Sequence, residues 1–519
     1  MNKYRLTALL TMLTLTSVTA QGQSQTQLVI GYEADSTSLD PAQVTDLNTM
    51  HVLSHMYDTL VKLGPKGDFQ PDLASSWSMS KDGMTYTFKL RPGVRFSNGD
   101  PVNADAVVFS FDRQLNKNNP GYAFGPFPFA GFYYGSINSV RKVNDATVEF
   151  KLKTPDSAFL AALSVPTGAV VNPKVALAKG KTFALEGSGS GPFKLETWNR
   201  GGQLILSSNT NYWGTKPKLK KLIWIPMVQE SQRAVALQSG TADMVINPAS
   251  ENLAKLKSAG YKVAQAAGPH VWWIGLNLNK APFNNKFVRQ ALNYAIDRKA
   301  ITEGVLYGTG TASAQPLAPM QLGYNPKVNP YTFDVKKAKA LLAQGGFPNG
   351  FTTTLLVPTS GSGMQSPIQM GTAIQAYLGQ IGIKVKIQQM DWGTFLGKIG
   401  AGAEKSNLDM WELSWMDTAV DPAYVLDPLL SSKAFPPGFN SGFYKNTAVD
   451  KLMEQGRAEP NTAKRGALYQ KAMAMINEDA PWLFVNHAQQ IVAYNKNVQG
   501  FLLDPVSPFI LKLNSINKN

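Results

Sequence analysis

A chain of 519 residues, 44% of them hydrophobic and 16% charged, can bury large cores but exceeds the size at which a single core keeps growing, so two or three domains are expected. The formal net charge is +15, yet the densest basic stretch is the short KPKLKK at 216–221, which excludes the clustered basic grip of a nucleic-acid binder and leaves a dispersed surface charge. With no cysteine in the sequence, disulfides, thiolate metal sites and a lipid anchor on cysteine are excluded.

In chain order, MNKYR supplies a positive start, LTALLTMLTLTSV an apolar stretch, and Val18-Thr19-Ala20 a small-residue cleavage site. Together they read as a secretory signal peptide over residues 1–20. No other segment approaches the roughly 20 apolar residues that a membrane span needs, so an exported, periplasmic protein is expected. Residues 21–27, QGQSQTQ, read as a disordered N-terminus. LVIGY (28–32) reads as a buried strand, and residues 50–63 as a helix, with Val52, Leu53, Met56, Tyr57 and Leu60 at helical spacing.

From residue 64 the pattern changes, because MTYTFKLRPGVRF and ATVEFKLKT (146–154) alternate by twos between turn signals. This predicts a small mixed subdomain over 64–186, inserted into the first lobe. Beyond Leu204, strand-like and helix-like segments take turns: LILSSN, KKLIWIPM, ESQRAVALQSG, ADMVIN, SENLAKLKSAG and VWWIGLNL. NKFVRQALNYAIDRKAITEGVL follows as one long amphipathic helix, then TTTLLVP, SPIQMGTAIQAYLGQIG, IKVKIQQM and LDMWELSW. Such alternation predicts α/β lobes with largely parallel sheets. The segment APWLFVNHAQQIVAYNKNVQGFLL holds two apolar runs, as if the chain returned to the first lobe. The expected division is lobe I at 28–63, 187–270 and 485–519, the inserted subdomain at 64–186, and lobe II at 271–484. Crossover strands would leave a cleft between the lobes, with AAGPH (266–270) and FVNHA (484–488) as hinges.

Several phrases carry a resemblance: SLDPAQ (38–43), YDTLV (57–61), PDLASSWSMSKDGMTYTFKLRPGVRFSNGDPVNADAVVFSF (71–111), GSGPFKLETW (189–198), NLNKAPFNNKFVRQALNYAIDRKAI (277–301) and SWMDTAVDP (414–422). In this order they resemble the extracellular solute-binding proteins of family 5, the oligopeptide-, dipeptide- and nickel-binding group that serves bacterial ABC importers. The resemblance implies an α/β fold, the two-lobed type II periplasmic-binding-protein clamshell with an additional inserted α+β subdomain. It also implies a monomer without enzymatic activity, cofactor, resident metal or nucleic-acid partner. Such a protein closes on a di- or oligopeptide and delivers it to an ABC permease in the inner membrane. The alternatives are an oligosaccharide or other non-peptide solute, a nickel complex, and, from another class, a secreted hydrolase.

In that family the loop after the tryptophan carries an aspartate that pairs with the peptide ammonium, usually three residues past the ring. Here that place is Thr418, and the carboxylate stands one residue earlier at Asp417, within a candidate set of Ser414, Trp415, Met416, Asp417 and Thr418. Either Asp417 reaches the cleft and meets a cationic ligand, or it caps local backbone N–H groups. VTDLNT (44–49) aligns with the loop on the first lobe's side of the cleft and nominates Thr45, Asp46, Leu47 and Asn48, with Asp46 as a replacement carboxylate. The other reading is that Asn48 or Thr49 N-caps the following helix. Trp272, Trp273, Trp392 and Trp411 serve either as aromatic walls for apolar side chains or sugar rings, or as core.

Three motifs carry little. GSGSG (187–191) lacks the Lys-Ser or Lys-Thr of a phosphate loop, and SMSK (78–81) lacks the companion motifs of penicillin-binding enzymes. His51 and His55 stand four apart on a predicted helix, a metal-compatible spacing without the glutamate of a zinc protease; a structural role is expected for them.

Overall fold

The computed structural model describes residues 26–361, 363–504, 506–507 and 510–519, so the predicted signal peptide at 1–20 lies outside the described residues. The segment read as a disordered N-terminus ends sooner than expected, because Gln27 already pairs with Lys221 at the start of the strand Gln27–Tyr32.

One sheet runs through the molecule. Its strands follow the order Lys384–Met390, Thr352–Pro358, Met410–Met416, Lys262–Leu276, Trp482–Tyr494, Met244–Ile246, Gln27–Tyr32, Lys221–Pro226, Leu204–Ser208 and Phe193–Trp198. Gln27–Tyr32 lies parallel to both of its neighbours, and Thr352–Pro358 does the same at the other end. Between these parallel cores, the pairings of Lys262–Leu276 and Trp482–Tyr494 are all antiparallel. The sheet is therefore mixed, where the alternation of elements suggested largely parallel pairing. Long strands that pass straight from one half to the other carry no helical crossover to enforce a parallel partner.

Lys262–Leu276 and Trp482–Tyr494 each serve both halves. Residues 262–267 pair with 489–494 on one side and 271–275 with 482–487 on the other, with a register shift between Ala267 and Val271. That irregularity falls within AAGPH, and the short strand Gly310–Ala312 pairs with Asn486–Ala488 beside it. The two apolar runs near the C-terminal end are thus one strand. Residues beyond it rejoin the first half, where Val498, Phe501, Leu511, Leu513 and Ile516 are buried against Leu28, Ile30 and Trp224.

Three large apolar cores organise the described residues, beside two smaller clusters around Leu237 and Trp411. One gathers Leu28–Tyr57, the strands Phe193–Pro226 and the C-terminal segment. A second, built from Leu60–Val170 with Ala419, Ala423 and Tyr424 of the second half, surrounds the antiparallel sheet formed by Ala74–Met79, Thr85–Leu90, Thr147–Leu152 and Ile137–Asn144. Tyr86, Phe88 and Leu90 point inward from one strand, and Val148, Phe150 and Leu152 from another, as the alternation by twos predicted. The third spans Val271–Val485.

Two predicted helices are cut short by local signals. The helix expected at 50–63 runs from Leu47 to Met56; Tyr57 turns extended and Val61–Leu63 joins a hairpin with Phe69–Pro71. The long helix expected from Asn285 breaks into Lys286–Ala295 and Arg298–Gly304, because Asp297 takes extended geometry and its side chain accepts from the Ala300 N–H. An aspartate in that place satisfies a donor that the helix end would otherwise leave bare.

Candidate functional site

A cavity of about 420 Å3 opens where the three cores meet. The first half contributes Thr45, Asp46, Leu47 and Met50, the inserted subdomain Pro128, Phe129 and Tyr133, and the crossing strand His270. The second half builds the rest, with Gly363 and Leu429 joining three main segments. The helix Trp392–Gly400 presents Trp392, Leu396, Ile399 and Gly400 at helical spacing. Leu413 through Met416 and Thr418 follow from the strand Met410–Met416 and its exit, so the cavity wraps the end of that strand instead of lying on one face. Pro437, Gly438, Phe439 and Ser441 come from the loop beyond.

The halves touch across the cavity. The Tyr133 and Thr418 hydroxyls lie 3.1 Å apart in a hydrogen bond between inserted subdomain and second half. Beside them, Phe132 meets Trp415 edge to face at 6.0 Å and Tyr424 at 5.2 Å, while Trp415 meets Phe439 at 5.1 Å. The Trp415 indole N–H is already donated to the Tyr424 carbonyl at 2.9 Å, so its ring offers the cavity only apolar surface.

Asp46 is the single formally charged side chain among the described residues lining the cavity. It is also the N-cap of Leu47–Met56: one carboxylate oxygen accepts from the Thr49 N–H at 2.8 Å, the other from the Thr49 and Thr37 hydroxyls at 2.9 and 2.8 Å. The cap therefore stands two or three residues before the expected Asn48 or Thr49, and Asn48 is buried outside the cavity wall. His270 is neutral, since burial and the neighbouring His487 push its pKa down to about 3.

Asp417 stands apart from the wall. Its carboxylate, 1% exposed, accepts from Gln321 Nε2 at 2.8 Å and from the Ala419 N–H at 3.0 Å, while its own N–H donates to the Pro269 carbonyl. Burial, then the adjacent Asp421 carboxylate, raises its pKa well above the usual range. Asp421 forms a bidentate pair with Arg465, both bonds 2.7 Å long. Asp417 thus does what a loop cap does, and the side chain that faces the cavity is Thr418.

Of the other tryptophans nominated, Trp392 lines the cavity and three do not. Trp272 is 1% exposed in the second-half core. Trp273 stacks on Trp482 at 4.3 Å, and Trp411 fills the space over Gly275, where an added Cβ would lie 2.3 Å from the ring. The cavity residues that sequence reasoning passed over include Phe129, Tyr133, His270, Leu396, Ile399 and Phe439; the unabsorbed aromatic run FGPFPFAGFYYG (124–135) was the signal available for the first two.

His51 and His55 lie in the first core against Trp224, with ring centroids 6.5 and 5.8 Å from it. His55 Nδ1 donates to the His51 carbonyl at 2.7 Å. The glycines of GSGSG serve close approach, since a Cβ at Gly189 would stand 2.2 Å from the Met56 carbonyl oxygen.

Residues 68–436 match the family described as Bacterial extracellular solute-binding proteins, family 5 Middle. The chain is 33% identical to the glutathione-binding protein GsiB of Pectobacterium atrosepticum over 486 residues, covering 93% of this chain and 92% of that protein. Among solved structures it is similar to the periplasmic binding protein DppA of Helicobacter pylori in complex with the peptide STSA, with a TM-score of 0.85, 33% identity and coverage of 95% and 98% of the two chains. The dipeptide-binding protein of Pseudoalteromonas sp. SM9913 in complex with Met-Leu superposes with a TM-score of 0.84 at 27% identity, covering 95% and 100%.

Proposed function

The chain belongs to the bacterial extracellular solute-binding proteins of family 5, non-enzymatic components of ABC importers, and from that premise we propose that its ligand is a di- or oligopeptide held in the cavity between the halves. The observation that carries this reading is the cavity itself, walled by all three cores and bridged by the Tyr133–Thr418 hydrogen bond. A ligand that binds there touches both halves and stabilises their closed arrangement by its differential affinity for it. Solved relatives of similar fold in complex with the peptide STSA and with Met-Leu support a peptide.

Glutathione, for which GsiB is named, fits the lining less well. At neutral pH it carries two carboxylates and one ammonium, and the one charge on the described wall is the Asp46 carboxylate. A non-peptide solute is the second reading, favoured by the aromatic rings of Trp392, Trp415 and Phe439 around the cavity.

Native mass spectrometry of the exported protein, purified without denaturation, followed by calorimetric titration of what is released, tests the proposal. Co-purified peptides that rebind support it. A sugar or other non-peptide solute recovered in stoichiometric amount overturns it.

A further inference from the structure

We propose that this site selects its peptide by one bulky apolar side chain and leaves the peptide's carboxylate without a cationic clamp. The inference rests on the peptide reading above and narrows its substrate class.

The wall supports it in three ways. First, its surface is mostly ring and aliphatic: Trp392, Leu396 and Ile399 from one helix face Trp415 and Phe439, with Phe129 closing the side of the inserted subdomain. Second, several of the polar handles on that surface are engaged within the protein. The Trp415 N–H is held by the Tyr424 carbonyl, and the Tyr133 and Thr418 hydroxyls by each other. A ligand group placed among these residues gains from leaving water rather than from hydrogen bonds. Third, no lysine or arginine is among the described residues that line the cavity, so a carboxylate entering it would be desolvated without a counter-charge. Leu396 and Phe439, both lining residues, are each 43% exposed and mark an opening through which the carboxylate end of the peptide stays in water. The ammonium end faces Asp46.

Calorimetric titration with four dipeptide ligands reads this directly on the intact protein: Phe-Leu, Phe-Leu amide, Gly-Gly and Glu-Glu. Phe-Leu is expected to bind at least tenfold more tightly than Gly-Gly and Glu-Glu, and Phe-Leu amide within about threefold of Phe-Leu. Phe439→Ala, at a partly exposed position, is expected to weaken Phe-Leu at least fivefold and Gly-Gly less than twofold. Equal affinity for all four overturns the inference and leaves the peptide reading standing, as does a loss of tenfold or more on amidation. No binding of any of the four, judged from titrations at two temperatures, overturns the inference and the dipeptide form of the reading beneath it.

Discussion

Arg457, on the second half of the molecule, reaches into the inserted subdomain and holds Asp156 through two bonds, Nε to Oδ1 at 3.1 Å and Nη2 to Oδ2 at 2.9 Å. Its remaining arm takes Asp427 at 2.9 Å, and the Ser157 N–H donates to the Arg457 carbonyl at 2.8 Å. A planar guanidinium that spans two carboxylates from different cores is a geometric condition on how the halves sit together.

Arg457→Ala removes that condition while leaving the cavity wall intact. Ligand affinity is expected to fall about tenfold, corresponding to about 1.4 kcal/mol lost from the closed arrangement. Stopped-flow dissociation should carry the change, with the association rate little altered. An unchanged dissociation rate would remove Arg457 from closure.

The two carboxylates nominated from sequence should separate cleanly. Asp46→Asn keeps an N-cap, since asparagine caps as well as aspartate, but removes the single charge on the described wall. A peptide with a free ammonium is expected to bind at least tenfold more weakly. Asp417→Asn changes a side chain that is turned to Gln321 and the Ala419 N–H and does not line the cavity, so affinity is expected to stay within twofold. Titration calorimetry on both variants decides it; the reverse order of effects would return Asp417 to the site.

Gly191 tests the reading of GSGSG as a packing loop. A Cβ there would lie 2.6 Å from the Met56 carbonyl carbon and from the Tyr57 nitrogen, backbone atoms with nowhere to go. Gly191→Ala is expected to cost about 2 kcal/mol or more by overpacking. Gly131→Ala, with nothing within 4 Å of its new methyl, is the control, expected to be neutral or stabilising by a few tenths of a kcal/mol. Urea midpoints of the two variants provide the comparison.

His55 gives a pH dependence with a definite sign. Burial lowers its pKa from 6.5 to about 4, so between those values the unfolded chain takes a proton that the folded protein refuses. Wild-type stability from this group is whole above pH 6.5 and declines as pH falls towards 4, by about 3 kcal/mol in total. His55→Gln lacks the titration, while the buried carboxyls common to both proteins cancel in the difference. The stability gap between wild type and variant, measured by denaturant unfolding at pH 7.5 and pH 4, should therefore shift in the variant's favour by about that amount. A gap independent of pH would mean that His55 titrates normally in the fold.

The strands and their faces were the most legible part of the chain, because burial alternates where the residues do, as at Tyr86, Phe88 and Leu90. Helix ends were less so: the breaks at Tyr57 and Asp297 follow from one residue's backbone geometry, which an apolar period does not register. The cavity was half visible. Trp415 and the Thr45–Leu47 loop could be named from the family's phrases, but Phe129 and Tyr133 stand nearly 300 positions away from Thr418, and only folding brings them to the same wall. The direction of Asp417 was beyond reach for a different reason. A carboxylate that faces a ligand and one that turns back to Ala419 and Gln321 have the same neighbours in sequence.

The strand Trp482–Tyr494 completes both halves at once, pairing with Met244–Ile246 on one side and with Trp272–Gly275 on the other. Asp243, beside the first of these, is buried and holds Lys518 at 2.8 Å. A nascent chain that has emerged as far as residue 480 therefore has neither half finished: two sheet edges stand open and Asp243 has not met that lysine. The order of synthesis keeps such a chain from locking early into a compact form, and the sequence distance over which its contacts must close predicts slow folding once they become available. That delay leaves time for an unfolded chain to cross a membrane before its architecture is sealed.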